Sequence, residues 1–457
     1  MHAAPVQPKP LDQERGLRHE LSAGQMAMVG VGGSIGTGLL LGSGAAISIA
    51  GPSVIFSFLV AALIAWTVAM AMGEMASVHP AAGSFGIYAE LYLNPWAGFI
   101  ARTAYWVSIA LAIGAEMVAS ATYMHLWFPS IQPVVWVAVF ALVLLAVNLR
   151  HVGGYGRFEY WFAMVKVVTI VAFIVIGAAL MFSGRVQPQY AANGGFFPNG
   201  HWALFSAMLF SIYTFGGVEM VAITSGESRS AQDLRRAFWL SMGMLTLVYV
   251  GAITVLVGVM PWSGAGVLES PFVTVFRQAG LPAASYLMNF VVLSAALSSA
   301  NACLYSDSRM LFSLARGGYA PGWLGKLNAA GAPVAAVLVS ASGIVVALVM
   351  EKWAPKGAFV NMLSAAFFGL WFSWAVTLVA HVRFRRQLTP AQVTALPMRS
   401  PGGAAASALG CAAMVLALAT TWRYSRVTIV GGIIYIALLS VAYPIMRRRR
   451  PRGTILN

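Results

Sequence analysis

The chain has 457 residues, of which 59% are hydrophobic and 9% charged, with a formal net charge of +15. Soluble domains carry roughly 25% charged residues, and a mean hydropathy of +0.78 excludes a soluble globule of this length. The positive charge sits in short segments between apolar runs, with no basic stripe interleaved with aromatics, so it speaks for membrane orientation and against nucleic acid.

Residues 1–20 are polar and contain proline, and form an expected cytoplasmic tail. No apolar stretch with a cleavage site precedes the first span, so no cleaved signal peptide is expected. With roughly 20 apolar residues as the spanning unit, about twelve segments follow. They lie at 24–46, 52–72, 97–127, 133–149, 156–182, 200–225, 237–260, 283–313, 333–350, 357–382, 404–422 and 427–446. Proline and glycine punctuate the joins, as at Gly51-Pro52, Asn94-Pro95 and Gln132-Pro133.

The first segment holds Gly30-Val31-Gly32-Gly33-Ser34-Ile35-Gly36-Thr37-Gly38. Glycine costs about 1 kcal/mol relative to alanine in a helix. Glycines this dense mark either a place where the helix opens or a small-residue packing face. Opened backbone at membrane depth is tolerated only where protein buries it or it lines a cavity. The sixth segment has a second such place, Tyr213-Thr214-Phe215-Gly216-Gly217-Val218-Glu219. Each opens a set of five spans, and since five is odd the second set is inverted. Paired interruptions in inverted halves point to a substrate site at the midplane. Phe215, beside the second break, reads as a substrate lid.

Three ionisable residues lie well inside spans: Glu116 in the third, Lys166 in the fifth and Glu219 in the sixth. Such residues are functional candidates because each costs at least ~2.5–3.5 kcal/mol at a helix centre; a salt-bridged structural pair is the alternative. Desolvation disfavours the charged form of Lys166, so it can take and release a proton, or stand in for a bound sodium ion. Glu219 can tie the unwound backbone to neighbouring spans. Glu116 either faces a substrate amine, which is the preferred role, or pairs with Lys166. Glu74 and Glu90 flank a short element between spans two and three, expected as a gate or a solvated turn. Asp307 and Arg309 are expected to anchor the inner end of the eighth span.

Lysine and arginine in the connections place both termini in the cytoplasm. The outer side then holds only Arg185, Arg277, Lys352, Lys356, Arg423 and Arg426. The run Arg447–Arg450 reads as a stop against anionic membrane lipid. Cys303 and Cys411 offer neither a disulfide framework nor metal spacing. No catalytic constellation is present, so neither an enzyme nor a cofactor or metal is expected.

Four motifs, in order and on the right spans, resemble the amino acid–polyamine–organocation superfamily, in its bacterial amino acid permease branch. They are Gly32-Gly33-Ser34-Ile35-Gly36-Thr37-Gly38, Phe158 to Lys166, Gly217-Val218-Glu219, and Leu304-Tyr305-Ser306-Asp307-Ser308-Arg309-Met310-Leu311. The resemblance runs from about Leu17 to about Arg386 and is weaker beyond. It implies an all-α polytopic membrane protein with about twelve transmembrane helices. It further implies a leucine-transporter-type five-plus-five inverted repeat with broken helices one and six. The halves are residues 21–182 and 200–386, followed by helices eleven and twelve at 401–446 and a basic tail at 447–457.

In that fold the carboxylate of an amino acid substrate meets backbone around Gly36, Thr37 and Gly38. Its amine meets carbonyls near Ser34 and from Tyr213 through Thr214 and Phe215 to Gly216. Lys166 matches the lysine that replaces sodium in proton-coupled relatives, and Gly216 stands where glutamine is common. The implied function is proton-coupled amino acid import across the inner membrane by alternating access. An exchanger without net proton movement is the alternative, and a non-transporting sensor a distant one.

Overall fold

The computed structural model describes residues 21–81, 83–150, 155–328 and 332–447. The N-terminal tail and the arginine run beyond Arg447 lie outside the described residues. No strand occurs among the described residues. Nine helical stretches are long and apolar enough to cross a membrane. One of them, Gly38–Val78, has 41 residues. At about 1.5 Å per residue it reaches about twice the hydrocarbon thickness, and it turns back at Gly51-Pro52-Ser53. With the shorter Pro133–Leu149 and the broken sixth segment, the described residues make twelve crossings.

The crossings run as follows. The first is Ala23–Ser34 continued by Ser43–Ala50, the second Val54–Val78, the third Pro95–His125, the fourth Pro133–Arg150 and the fifth Tyr155–Phe182. The sixth is Met208–Thr214 continued by Met220–Ile223, the seventh Ala231–Val259 and the eighth Pro282–Arg316. The ninth is Val334–Ser340 with Ser342–Trp353, the tenth Ala358–Arg386, the eleventh Gly403–Thr420 and the twelfth Trp422–Arg447.

Local signals explain several starts. Ser22 and Gln25 form a capping box at the first crossing. Asn94 accepts from Ala97 N–H at 2.9 Å before the third, whose first residue is Pro95. The third crossing is the axis of the bundle: 83% of its apolar window is buried, against 22% and 17% for the eleventh and twelfth. Glycines let the ninth and tenth crossings lie directly on its backbone. A methyl group at Gly343 would come within 1.6 Å of the Ala110 carbonyl oxygen, and one at Gly369 within 2.2 Å of that of Ala104.

The region between the second and third crossings departs from the sequence reading. The second helix runs to Val78, so Glu74 lies within it and is fully buried. Its carboxylate pairs with Arg385, faces His381 Nε2 at 3.3 Å and accepts from Ser400 N–H at 2.5 Å. Residues 84–92 form a buried helix, not a solvated turn. Glu90 there pairs with Arg102 at 2.6 Å and accepts from the Tyr319 hydroxyl at 2.9 Å. Both carboxylates are inside because each has an arginine beside it, Arg385 for Glu74 and Arg102 for Glu90.

Candidate functional site

Both glycine-rich stretches are breaks. The first helix stops at Ser34, Ile35 and Gly36 leave the helical path, and the chain resumes through a π-helical turn at Gly38–Gly42. The sixth crossing opens after Thr214, with Gly217 at a φ of 107°, a conformation that glycine adopts without strain. The two openings touch backbone to backbone. A methyl group on Gly217 would lie 2.6 Å from Ser34 N, and one on Gly38 3.2 Å from the Thr214 Cα. The readings as breaks and as close-packed glycine faces therefore both hold, at the same residues.

An opened helix exposes N–H groups that hydrocarbon cannot satisfy, and a buried glutamate serves each break. Glu116 accepts from Thr37 N–H at 3.1 and 3.3 Å and from the Ser299 hydroxyl at 3.0 Å. Glu219 accepts from Gly217 N–H at 3.0 and 3.1 Å. It also accepts from the Tyr105 hydroxyl at 3.0 Å and Trp374 Nε1 at 3.4 Å, which ties the second break to the third and tenth crossings. Glu116 borders the cavity, and its carboxylate lies on an N–H where a substrate carboxylate was expected. The freed donor needs an acceptor, and the third crossing supplies one directly opposite.

Between the breaks lies a small cavity of about 30 Å³, room for a water or two and well below the volume of a small-molecule site in this closed form. Ser34, Gly36, Gly38, Tyr213, Thr214 and Gly216 border it, together with Glu116. Lys166 stands behind the first break, 2% exposed, and donates from Nζ to the Gly32 carbonyl at 2.7 Å. The carbonyl that the broken helix leaves near its end thus meets a cation from the fifth crossing.

Ile35, Thr37 and Phe215 are not among the lining residues. Phe215 is fully buried and packs edge to face on Tyr249, with ring centroids 4.9 Å apart. It is no lid; Tyr213, two residues earlier, faces the cavity instead. The sequence reading missed Ser108 and Ala112 on the third crossing, Ser299 and Cys303 on the eighth, and Leu370 on the tenth. A signal existed for the eighth, since Ser299 and Cys303 are four apart and share a helix face.

Bulk at Gly36 would collide with the groups that serve the first break. A methyl group there would lie 2.3 Å from Glu116 Oε1 and 2.5 Å from Ser299 Oγ. Gly36→Val is expected to reduce uptake by at least about tenfold, since a charge-assisted bond is worth ~1.5–3 kcal/mol. Uptake by cells, normalised to the amount of protein in the membrane fraction, checks this.

Two helices broken at one level around a buried cavity, inside a bundle of apolar crossings, define a polytopic membrane transporter. The amino acid permease family matches residues 25–447, and the chain belongs to that family, within the amino acid–polyamine–organocation superfamily. It is 34% identical to an uncharacterized amino acid permease, YtnA, of Bacillus subtilis (strain 168), over 94% of this chain and 96% of that protein. It is 38% identical to the aromatic amino acid transport protein AroP of Escherichia coli (strain K12), over 82% of each chain. It is 35% identical to the gamma-aminobutyric acid permease of Bacillus subtilis (strain 168), over 84% of each. The protein is an amino acid permease, and not an enzyme.

Proposed function

We propose that this permease imports an amino acid together with a proton across the inner membrane, by alternating access of two inverted five-helix halves. Both termini face the cytoplasm in this reading, as the arginine and lysine distribution favours. Membrane lipid surrounds side chains such as Leu63, Leu142 and Val175, which are 67%, 69% and 62% exposed. The single observation that carries the reading is the cavity bordered by both breaks, with Lys166 on the Gly32 carbonyl beside it.

The substrate carboxylate binds at the opened first helix around Gly36 and Gly38, taking over donors such as the Thr37 N–H that Glu116 holds in this form, where the helix end favours an anion. The amine binds toward the carbonyls of Tyr213 and its neighbours. AroP and the gamma-aminobutyric acid permease are named for different solutes that share one carboxylate and one amine. The proposed substrate class is therefore amino acids, with both groups required.

Uptake into proteoliposomes under an imposed pH gradient tests this, with competition by the proteinogenic amino acids, 4-aminobutyrate and the amide of the best substrate. Accumulation that follows the gradient is expected, with the amide competing poorly. Equal competition by acid and amide would remove the carboxylate site. Exchange without gradient-driven accumulation would establish an antiporter instead.

A further inference from the structure

The eighth crossing carries a buried carboxyl group that the site described above does not use. Ser299, Cys303 and Asp307 are spaced four apart, so they lie one above another on one helix face. The first two border the cavity. Asp307 follows about 6 Å beyond Cys303, at about 1.5 Å per residue, toward the end that carries Arg316. It is fully buried, and neither of its carboxyl oxygens makes a hydrogen bond to a described residue.

Among the described residues its surroundings offer no cation. Tyr105 from the third crossing and Cys303 from its own helix are near enough to sense its charge. Across on the ninth crossing the Ser340 hydroxyl, which accepts from Trp106 Nε1 at 3.0 Å, is near enough to donate to the Asp307 carboxyl group, a neutral partner that does not balance a charge. Val334–Ser340, which carries Ser340, contains no titratable residue. The charged groups on the packed elements are engaged elsewhere. Arg102 pairs with Glu90, Lys166 bonds Gly32, and Glu219 accepts from Tyr105. Arg277 pairs with Glu269, Arg309 lies over the Tyr305 ring and Arg316 over that of Phe312. Arg309 does not anchor the helix end together with Asp307, because residues two apart point to different sides of a helix.

An ionised carboxylate held this way is strongly disfavoured. We infer that Asp307 is a proton-binding site of the transport cycle, protonated while the route below the cavity is closed and ionised when that route opens to water. At this end of the bundle Leu21 N–H donates to the Glu227 carbonyl at 3.0 Å, and Ala81 N–H to the Ser225 hydroxyl at 3.2 Å, contacts that opening of such a route would separate. Tyr105 joins Asp307 to the second break through Glu219, so movement of that break changes the water around Asp307. By linkage, rising pH then favours the open form.

The inference rests on alternating access but not on net proton transport, and exchange separates the two. Substrate exchange is measured in proteoliposomes at equal pH on both sides, with no gradient, for the wild type, Asp307→Asn and Asp307→Glu. Where opening limits the rate, one proton gives up to about a tenfold rise in exchange per pH unit. The wild type is expected to show that rise. Asp307→Asn, which resembles the protonated form, is expected to bind substrate yet lack the step, and Asp307→Glu to restore it. Infrared difference spectra between low and high pH add a readout independent of transport: the wild type is expected to lose one protonated-carboxyl band that Asp307→Asn lacks. An unchanged pH profile in Asp307→Asn, or the same bands in both proteins, overturns the inference. Loss of gradient-driven accumulation in the wild type would instead overturn proton coupling and leave this exchange result standing.

Discussion

Lys166→Ala is expected to abolish accumulation driven by a pH gradient while leaving substrate exchange measurable. The ammonium is 2% exposed and donates to the Gly32 carbonyl at 2.7 Å, at the last regular turns before the first break. The bond joins the fifth crossing to the first break, so it can be made and released as the break moves within a cycle. Alanine removes the cation and leaves the carbonyl without that donor, and the break loses its link to the fifth crossing. Proteoliposomes loaded at one pH and diluted into another provide the measurement, with exchange as the control for folding. A mutant that still accumulates substrate in proportion to the gradient would remove Lys166 from the coupling.

Glu116→Gln is expected to reduce uptake by roughly tenfold to a hundredfold. The carboxylate accepts from Thr37 N–H and Ser299, and a charge-assisted bond is worth ~1.5–3 kcal/mol. Glutamine keeps the shape but turns one of the two oxygens facing Thr37 N–H into a donor. The pattern of loss across substrates reports what the group does. Because Glu116 holds backbone that every substrate meets, the loss is expected to be of similar size for neutral, basic and aromatic amino acids. A loss much larger for some substrates than for others would assign the carboxylate to the substrate amine or a basic side chain, the role preferred from sequence. Unchanged uptake of all of them would remove the Thr37 contact from the mechanism.

The breaks were legible in the sequence because glycine density is a local property. So were the three intramembrane charges, because an isolated charge in an apolar run needs no partner to be noticed. Partners were another matter. Glu74 was read as lying in a connection because its own stretch gives no hint of Arg385 or Ser400, which arrive from more than 300 residues away. Phe215 was chosen as a lid because it is the large aromatic beside the second break. Which of Tyr213 and Phe215 faces the cavity depends on how the opened backbone turns at Gly216 and Gly217, and composition does not encode that turn. Ser299 and Cys303 were overlooked because small polar residues are common where membrane helices pack, and only their distance to Glu116 and Gly36 sets them apart.

The contacts of Gly343 and Gly369 with the carbonyls of Ala110 and Ala104 bear on how the molecule moves. Where main chains touch, no layer of side chains remains to change rotamer, so such a seam can neither hinge nor slide without breaking contact along its length. The third, ninth and tenth crossings therefore behave as one rigid keel. Motion belongs to the faces where side chains and open turns intervene, around the first and sixth crossings. Labels placed for distance measurements should respect that division: a pair within the keel reads as a constant, and a pair from keel to break carries the signal.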